Sequence, residues 1–303
     1  MSADLHCHSV YSDGTLTVKE IILLAKAQGL HAVAITDHDT FSGCNEAVDL
    51  GSKIGITVIP GAEISSYDYK RNRKVHLLCY MPQDESIIKP MTDLTTKLRT
   101  RSVLSSVPIV LKHYPIPQEM IFSSVTPGSG LFKQHIMTAL INAGYTNDIY
   151  GELFRSLFGK NGIAKIPYRL PDVFDALKLI RESGAVCVLA HPNVYNSYEI
   201  IPELISNGLD GIEVNYPRAK DSDHEVLGEL CRKNDLIITG GTDFHGRNTS
   251  SPLKIGTGFA TDEQLDKLIA LAEKRGHTFT SKNINKKNFN KTVDKQPVLI
   301  YNK

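Results

Sequence analysis

The residues able to do chemistry begin at the amino end. Asp4-Leu5-His6-Cys7-His8 is followed by Ser12-Asp13-Gly14, a histidine pair and then a carboxylate. In an extended strand alternate side chains share a face, so His6 and His8 project together while Leu5 and Cys7 point the other way. Two imidazoles on one face can clamp a metal ion, and Asp13, in a turn closed by Gly14, can bring a carboxylate to the same place. A lone His-x-His is more often ordinary histidine than a ligand pair. Recurrence argues for metal. His38 follows the apolar run His31–Thr36, Glu63 follows Ile56–Ile59, and His191 follows Ala185–Ala190. Asp243 and His245 follow Leu236–Thr239, and His76 lies near the start of Val75–Tyr80. Six of the eleven histidines (6, 8, 38, 76, 191, 245) fit this placement; the other five (31, 113, 135, 224, 277) default to structural or surface roles.

Those ligands need elements to bring them together. Thr17-Val18-Lys19-Glu20 has the form of a capping box and opens an amphipathic helix closed by Gly29. Helices are further expected over 45–53, 171–183, 197–207, 221–233 and 262–275, and they alternate with the strands above and with Gly211–Asn215. About seven strands alternating with helices is the signature of a parallel sheet or barrel. In a (β/α) barrel the loops converge at the C-terminal ends of the strands, where ligands far apart in sequence can meet. Residues 83–168 break the rhythm: 86–110, 133–143 and 150–157 are helical in character, with Pro127-Gly128-Ser129-Gly130 as a loop. The expected organisation is a barrel from 1–82 and 169–280, a helical insertion over its active face at 83–168, and a C-terminal extension at 281–303, ending in a strand at 297–301.

Bulk properties set outer bounds. A chain of 303 residues at 41% hydrophobic can bury a core of that size. A formal charge of +1 gives no global argument for nucleic acid or an anionic membrane, although short oligonucleotides stay open. The longest apolar runs are of strand length, so no membrane span is expected, and no basic-then-apolar secretory signal opens the chain. Five cysteines (7, 44, 79, 187, 231) without Cys-x-x-Cys argue against a disulfide framework and a thiolate zinc site, and for a reduced, cytoplasmic protein. Imidazole and carboxylate without thiolate suit Mn²⁺, Fe²⁺ or Zn²⁺.

Asp-Leu-His-Cys-His-Ser with Ser-Asp-Gly, Ile-Thr-Asp-His-Asp, Pro-Gly-Ala-Glu, Val-His-Leu-Leu-Cys-Tyr, Leu-Ala-His-Pro and Gly-Gly-Thr-Asp-Phe-His-Gly occur in that order across residues 3–246. Together they resemble the PHP (polymerase and histidinol phosphatase) family. The resemblance implies a distorted (β/α)7 barrel and a site for three divalent metal ions, with Mn²⁺ favoured. One ion would take His6, His8, Glu63 and Asp243. Glu63 would bridge to a second, held also by His76 and His191. Asp13, His38 and His245 would hold the third. Three divalent ions against three carboxylates leave a net charge of about +3, which favours a dianionic phosphate monoester. Such a centre also makes a serine or cysteine nucleophile unnecessary.

Within that family the layout resembles the phosphoesterases that remove the 3′-phosphate from nucleoside 3′,5′-bisphosphates, and their relatives that trim short RNA from the 5′ end. That subgroup's Gly-Arg-Pro-His pattern meets Phe132-Lys133-Gln134-His135 here: His135 matches, Lys133 replaces arginine and Gln134 replaces proline. Lysine keeps the charge without the bidentate fork. Lys133, His135 and Arg218, which follows strand Gly211–Asn215, are the candidate substrate contacts. The basic run Lys70–Lys74 either screens an anionic substrate or is a solvated loop. The favoured activity is hydrolysis of a small phosphate monoester, a nucleotide before histidinol phosphate. A 5′–3′ exoribonuclease and a non-catalytic metal module are the competing readings. No protein partner is indicated.

Overall fold

The computed structural model describes residues 2–277, so the expected extension at 281–303 and its strand at 297–301 lie outside the described residues. β1 (Ser2–Asp4) leads into an extended stretch carrying His6 and His8. α1 (Val18–Ala27) starts at the expected capping box: Glu20 N donates to Thr17 Oγ1, and Thr17 N donates back to the Glu20 carboxylate. β2 (Ala32–Ile35) and α2 (Cys44–Ile54) follow, then β3 (Thr57–Asp68) and β4 (Arg73–Tyr80).

Here two expectations change. The strand beginning near residue 56 does not stop at Pro60. Gly61–Asp68 pairs residue for residue with Tyr80–Arg73, so β3 runs for twelve residues and Glu63 sits inside it. The chain can reverse because Asp68 Oδ1 accepts from the backbone N–H of both Lys70 and Arg71 at 3.1 Å, and Asn72 takes a left-handed φ of 55°. A short side-chain acceptor and an αL residue make a tight turn. β4 therefore runs antiparallel to β3, and also to β5 (Val186–Leu189), so the ring is mixed rather than all parallel.

Between β4 and β5 come α3 (Lys89–His113), α4 (Glu119–Phe122), α5 (Lys133–Asn142), α6 (Glu152–Phe158) and α7 (Val173–Glu182). The first four enclose an apolar cluster of their own, including Val107, Ile121, Met137, Leu140 and Phe158. The alternation then resumes with α8 (Ile201–Ser206), β6 (Gly211–Asn215), α9 (Asp221–Lys233) and β7 (Ile237–Gly240). A two-residue strand β8 (Ala260–Thr261), not expected from the sequence, pairs antiparallel with β1 and leads into α10 (Asp262–Lys274).

The strands form one sheet in the order β7-β6-β5-β4-β3-β2-β1-β8. The ring is brought nearly closed just past β1. Leu5 N donates to Gly240 O at 3.1 Å, Phe244 N to His6 O at 3.1 Å, and His8 N to Phe244 O at 2.8 Å. Inside, Leu5, Ala34, Ile59, Leu78, Tyr80 and Val188 share one buried cluster. The Tyr80 hydroxyl of β4 donates to Leu5 O at 2.8 Å, across the barrel rather than along the sheet. The architecture is a distorted barrel with surrounding helices. The five cysteines are buried and free. Among the described residues no helix is long and apolar enough to cross a membrane.

Candidate functional site

The short segments leaving the strand ends carry the polar residues, and local packing fixes where they point. Gly14 turns the chain back on itself: a Cβ there would lie 2.1 Å from His8 O, so only glycine lets Asp13 return beside His8. Gly241 serves the far side of the ring, because a Cβ would lie 2.3 Å from the His6 Cβ. His191 and Asp243 hold positive φ values of 23° and 54°, conformations that non-glycine residues keep only where the surroundings enforce them.

All nine expected ligands meet in one place. Glu63 is fully buried and divides its two oxygens. Oε2 lies 3.3 Å from His6 Nε2, 3.2 Å from His8 Nε2 and 3.0 Å from His38 Nδ1. Oε1 lies 2.6 Å from His76 Nδ1 and 2.8 Å from His191 Nε2. Asp243 Oδ1 is 3.5 Å from His6 Nε2 and 3.3 Å from His8 Nε2. Asp13 Oδ1 is 3.2 Å from His245 Nε2 and 3.9 Å from both His8 Nδ1 and His38 Nε2. Potential ligand atoms lie within 4.8 Å of one another in three overlapping sets: His8, Asp13, His38 and His245; His6, Glu63, His191 and Asp243; His38, Glu63 and His76. These sets share residues differently from the division implied by the family resemblance, with His8 beside Asp13 and His38 beside Glu63.

The site fits divalent metal. His6 Nε2, His8 Nε2, His38 Nδ1, His191 Nδ1, Asp13 Oδ1, Glu63 Oε2 and Asp243 Oδ1 are buried without a hydrogen bond among the described residues. Buried polar atoms are normally hydrogen-bonded. Two ligands about 2.1 Å from one ion, at tetrahedral or octahedral angles, lie about 3.0–3.4 Å apart. The His6 and His8 contacts with Glu63 and Asp243 span 3.2–3.5 Å. Burial alone would raise the carboxyl pKa values. His245 instead holds Asp13 and Asp243 well down, and His76 does the same for Glu63, so all three stay ionised.

Residues not picked out from the sequence hold this set in place. Glu213, buried at the middle of β6, lies 3.0 Å from His6 Nδ1 through one oxygen and accepts from the His191 backbone N–H at 2.9 Å through the other. An acidic residue inside the apolar strand Gly211–Asn215 was the available signal, since burial there needs a partner. Asp37 accepts from Ser9 N, Ser9 Oγ and Ser12 Oγ at 2.5–2.7 Å, fixing the loop between His8 and Asp13. Asn248 Nδ2 donates to Asp13 O at 2.7 Å.

A cavity of about 320 Å³ opens over the cluster, and the segment from α3 to α6 supplies much of its wall. Lys133, Gln134, Phe132 and Arg99 line it together with Tyr150, Lys74 and Tyr195. The Lys133 ammonium is pushed down to about 8 by burial, with Lys74 and Lys165 repelling it. Of the basic run at 70–74, Lys70 and Arg71 pair with Glu203 and Arg73 faces Glu199, while Lys74 lines the cavity. His135 and Arg218 do not line it. His135 Nδ1 accepts from Phe132 N at 3.0 Å, and Arg218 Nη2 donates to Thr249 Oγ1 and Ser251 O at 2.7 and 2.5 Å.

Comparison with known proteins agrees with this picture. The PHP domain model matches residues 4–180. Phosphoribosyl 1,2-cyclic phosphate 1,2-diphosphodiesterase of Eggerthella lenta is 35% identical over 249 residues, covering 82% of this chain and 95% of that protein. A 5′–3′ exoribonuclease of Haemophilus influenzae is 28% identical, over 80% of this chain and 89% of the relative. The 3′,5′-nucleoside bisphosphate phosphatase of Chromobacterium violaceum is 24% identical, over 80% and 86%. Among solved structures, a candidate metal-dependent phosphoesterase from Bifidobacterium adolescentis superposes with a TM-score of 0.82 at 29% identity, covering 89% of this chain and 96% of that one.

Proposed function

The chain belongs to the PHP family of metal-dependent phosphoesterases, and from that premise we propose that it hydrolyses a small ribose phosphate at a centre of three divalent ions. The observation that carries this reading is a set of seven buried nitrogen and oxygen atoms without a hydrogen bond among the described residues, five of them from residues that line one cavity. His6, His8, Asp13, His38, Glu63, His76, His191, Asp243 and His245 would hold the ions. Mn²⁺ is the favoured ion, and Fe²⁺ or Zn²⁺ suits the same donors. Bound there, the ions would polarise phosphoryl oxygens and acidify water near neutral pH.

The chain's own part is to position and select. Glu213 orients the His6 ring, and a carboxylate on the far nitrogen also raises a ligand's basicity. Lys133 offers a cation to a phosphate away from the reacting one, and the residue 83–168 segment acts as the specificity wall. The favoured substrate is a nucleoside 3′,5′-bisphosphate. A cavity near 320 Å³ suits one small ligand, which supports a mononucleotide over extended RNA. The 35% identity to a phosphoribosyl cyclic phosphate diphosphodiesterase supports a second reading, a cyclic phosphate of phosphorylated ribose.

The test is phosphate release by Mn²⁺-loaded protein from adenosine 3′,5′-bisphosphate. Phosphoribosyl 1,2-cyclic phosphate, AMP, histidinol phosphate and a short 5′-phosphorylated RNA run in parallel, with mononucleotide release followed for the RNA and chelated protein as control. Preference for the bisphosphate supports the first reading and preference for the cyclic phosphate the second. Equal rates with and without chelator would reject both.

A further inference from the structure

Gln134 Nε2 lies 2.9 Å from Asp13 Oδ2 and 2.7 Å from the Tyr150 hydroxyl. An ionised carboxylate only accepts, so the amide nitrogen and not its oxygen must face Asp13, and an amide nitrogen only donates. Both of its hydrogens are therefore committed, one to Asp13 and one to Tyr150. The Tyr150 oxygen receives that bond, so its own hydrogen must point elsewhere. It has no acceptor among the described residues. Tyr150 lines the cavity alongside Asp13, Asp243 and His245, and its ring is steadied against Phe154 with centroids 4.9 Å apart.

We propose that Tyr150 is a substrate contact whose hydroxyl donates to a phosphoryl oxygen in the cavity, and that Gln134 is the positioning residue that aims it. The proposal rests on the phosphoester reading above. Asp13 turns Oδ1 toward His245 and keeps Oδ2 for Gln134, so one amide ties the ligand cluster to the donor on the opposite wall. A hydroxyl free to rotate would spend part of its time facing away from the cavity. One whose oxygen is already engaged presents its hydrogen in advance, which reduces the ordering cost when an anion arrives. A proline at position 134 could donate neither bond.

The experiment measures inorganic phosphate binding to Mn²⁺-loaded protein by calorimetry, with bound Mn²⁺ counted in the same samples and turnover of adenosine 3′,5′-bisphosphate followed beside it. Tyr150→Phe keeps the ring and removes only the hydroxyl. It should weaken phosphate binding and lower kcat/KM by about tenfold to a hundredfold, the range for a hydrogen bond to a charged group, with Mn²⁺ content unchanged. Gln134→Ala should weaken phosphate binding in the wild-type background and add little in the Tyr150→Phe background, because the two act as a coupled pair. Unchanged phosphate affinity in Tyr150→Phe, or a loss of Mn²⁺ as large as the loss of phosphate, would overturn the assignment. If wild-type protein hydrolyses no ester, the proposed function fails, and phosphate binding still decides the role of Tyr150.

Discussion

Glu213 shows how much of the site depends on a residue that is not itself a candidate ligand. Its carboxylate is buried, and it engages the His6 ring and the His191 backbone at once. Glu213→Gln preserves size and one acceptor but removes the charge. By the usual effect of such partners, Mn²⁺ affinity should fall about 10- to 100-fold. Competition with a chromogenic chelator reads this directly, and an unchanged affinity would reduce Glu213 to packing. Lys133 makes a different demand, on pH. Its pKa lies near 8, below the ordinary lysine value, because burial disfavours the cation. The charge is present below that value and is lost as pH rises through it, so anion attraction weakens in the alkaline direction. KM for the bisphosphate should therefore climb between about pH 7 and 9, by the titration of that one group. In Lys133→Met, KM should already be high and flat. The same pH dependence in both proteins would remove Lys133 from substrate binding.

At the scale of elements, the helical segment is locked to the barrel by one buried pair. Arg99 of α3 meets Asp39, just past β2, through Nη2, and the same nitrogen donates to Ser65 Oγ of β3 at 3.0 Å. Removing one partner of a buried pair strands the other charge, at a cost of about 3–5 kcal/mol. Arg99→Leu should show that loss in urea unfolding, whereas Lys70→Ala, at a pair on an exposed lysine, should cost under about 1 kcal/mol. Equal effects would mean that Asp39 rehydrates and that α3 is held by other contacts. The same elements show what the sequence could convey. His38, His191, Asp243 and His245 were legible because each follows an apolar run at a strand end. Glu63 was recognisable as a candidate ligand but not as mid-strand, because Pro60-Gly61 looks like a stop until the pairing with Tyr80–Arg73 is seen. β8, at two residues, has no periodicity to detect. Gln134 and Tyr150 lie 121 and 137 positions from Asp13 in sequence, and no spacing rule connects them.

For the molecule as a whole, the candidate ligand cluster and the closure of the barrel are the same region. His6, His8, His38, Glu63, His76, His191, Asp243 and His245 come from or just beyond β1, β2, β3, β4, β5 and β7, so any ion they share ties non-adjacent strands together. The closure itself is thin. β1 and β7 meet through the amides of Leu5, His8 and Phe244, not through a full strand ladder. The apolar cluster within the helical segment contains none of these residues. Metal should therefore act locally as a staple as well as a reagent. Saturation at 100 times Kd should add about 2.7 kcal/mol to stability, since a ligand that binds only the folded state shifts the equilibrium by mass action. Chelation should reverse the gain. Hydrogen exchange should then locate the lost protection at the Leu5, His8 and Phe244 amides, with Met137 and Leu140 of α5 little changed. Uniform loss over all of these would instead mean that barrel and helical segment open as one cooperative unit, with the metal stabilising the whole molecule and not its seam.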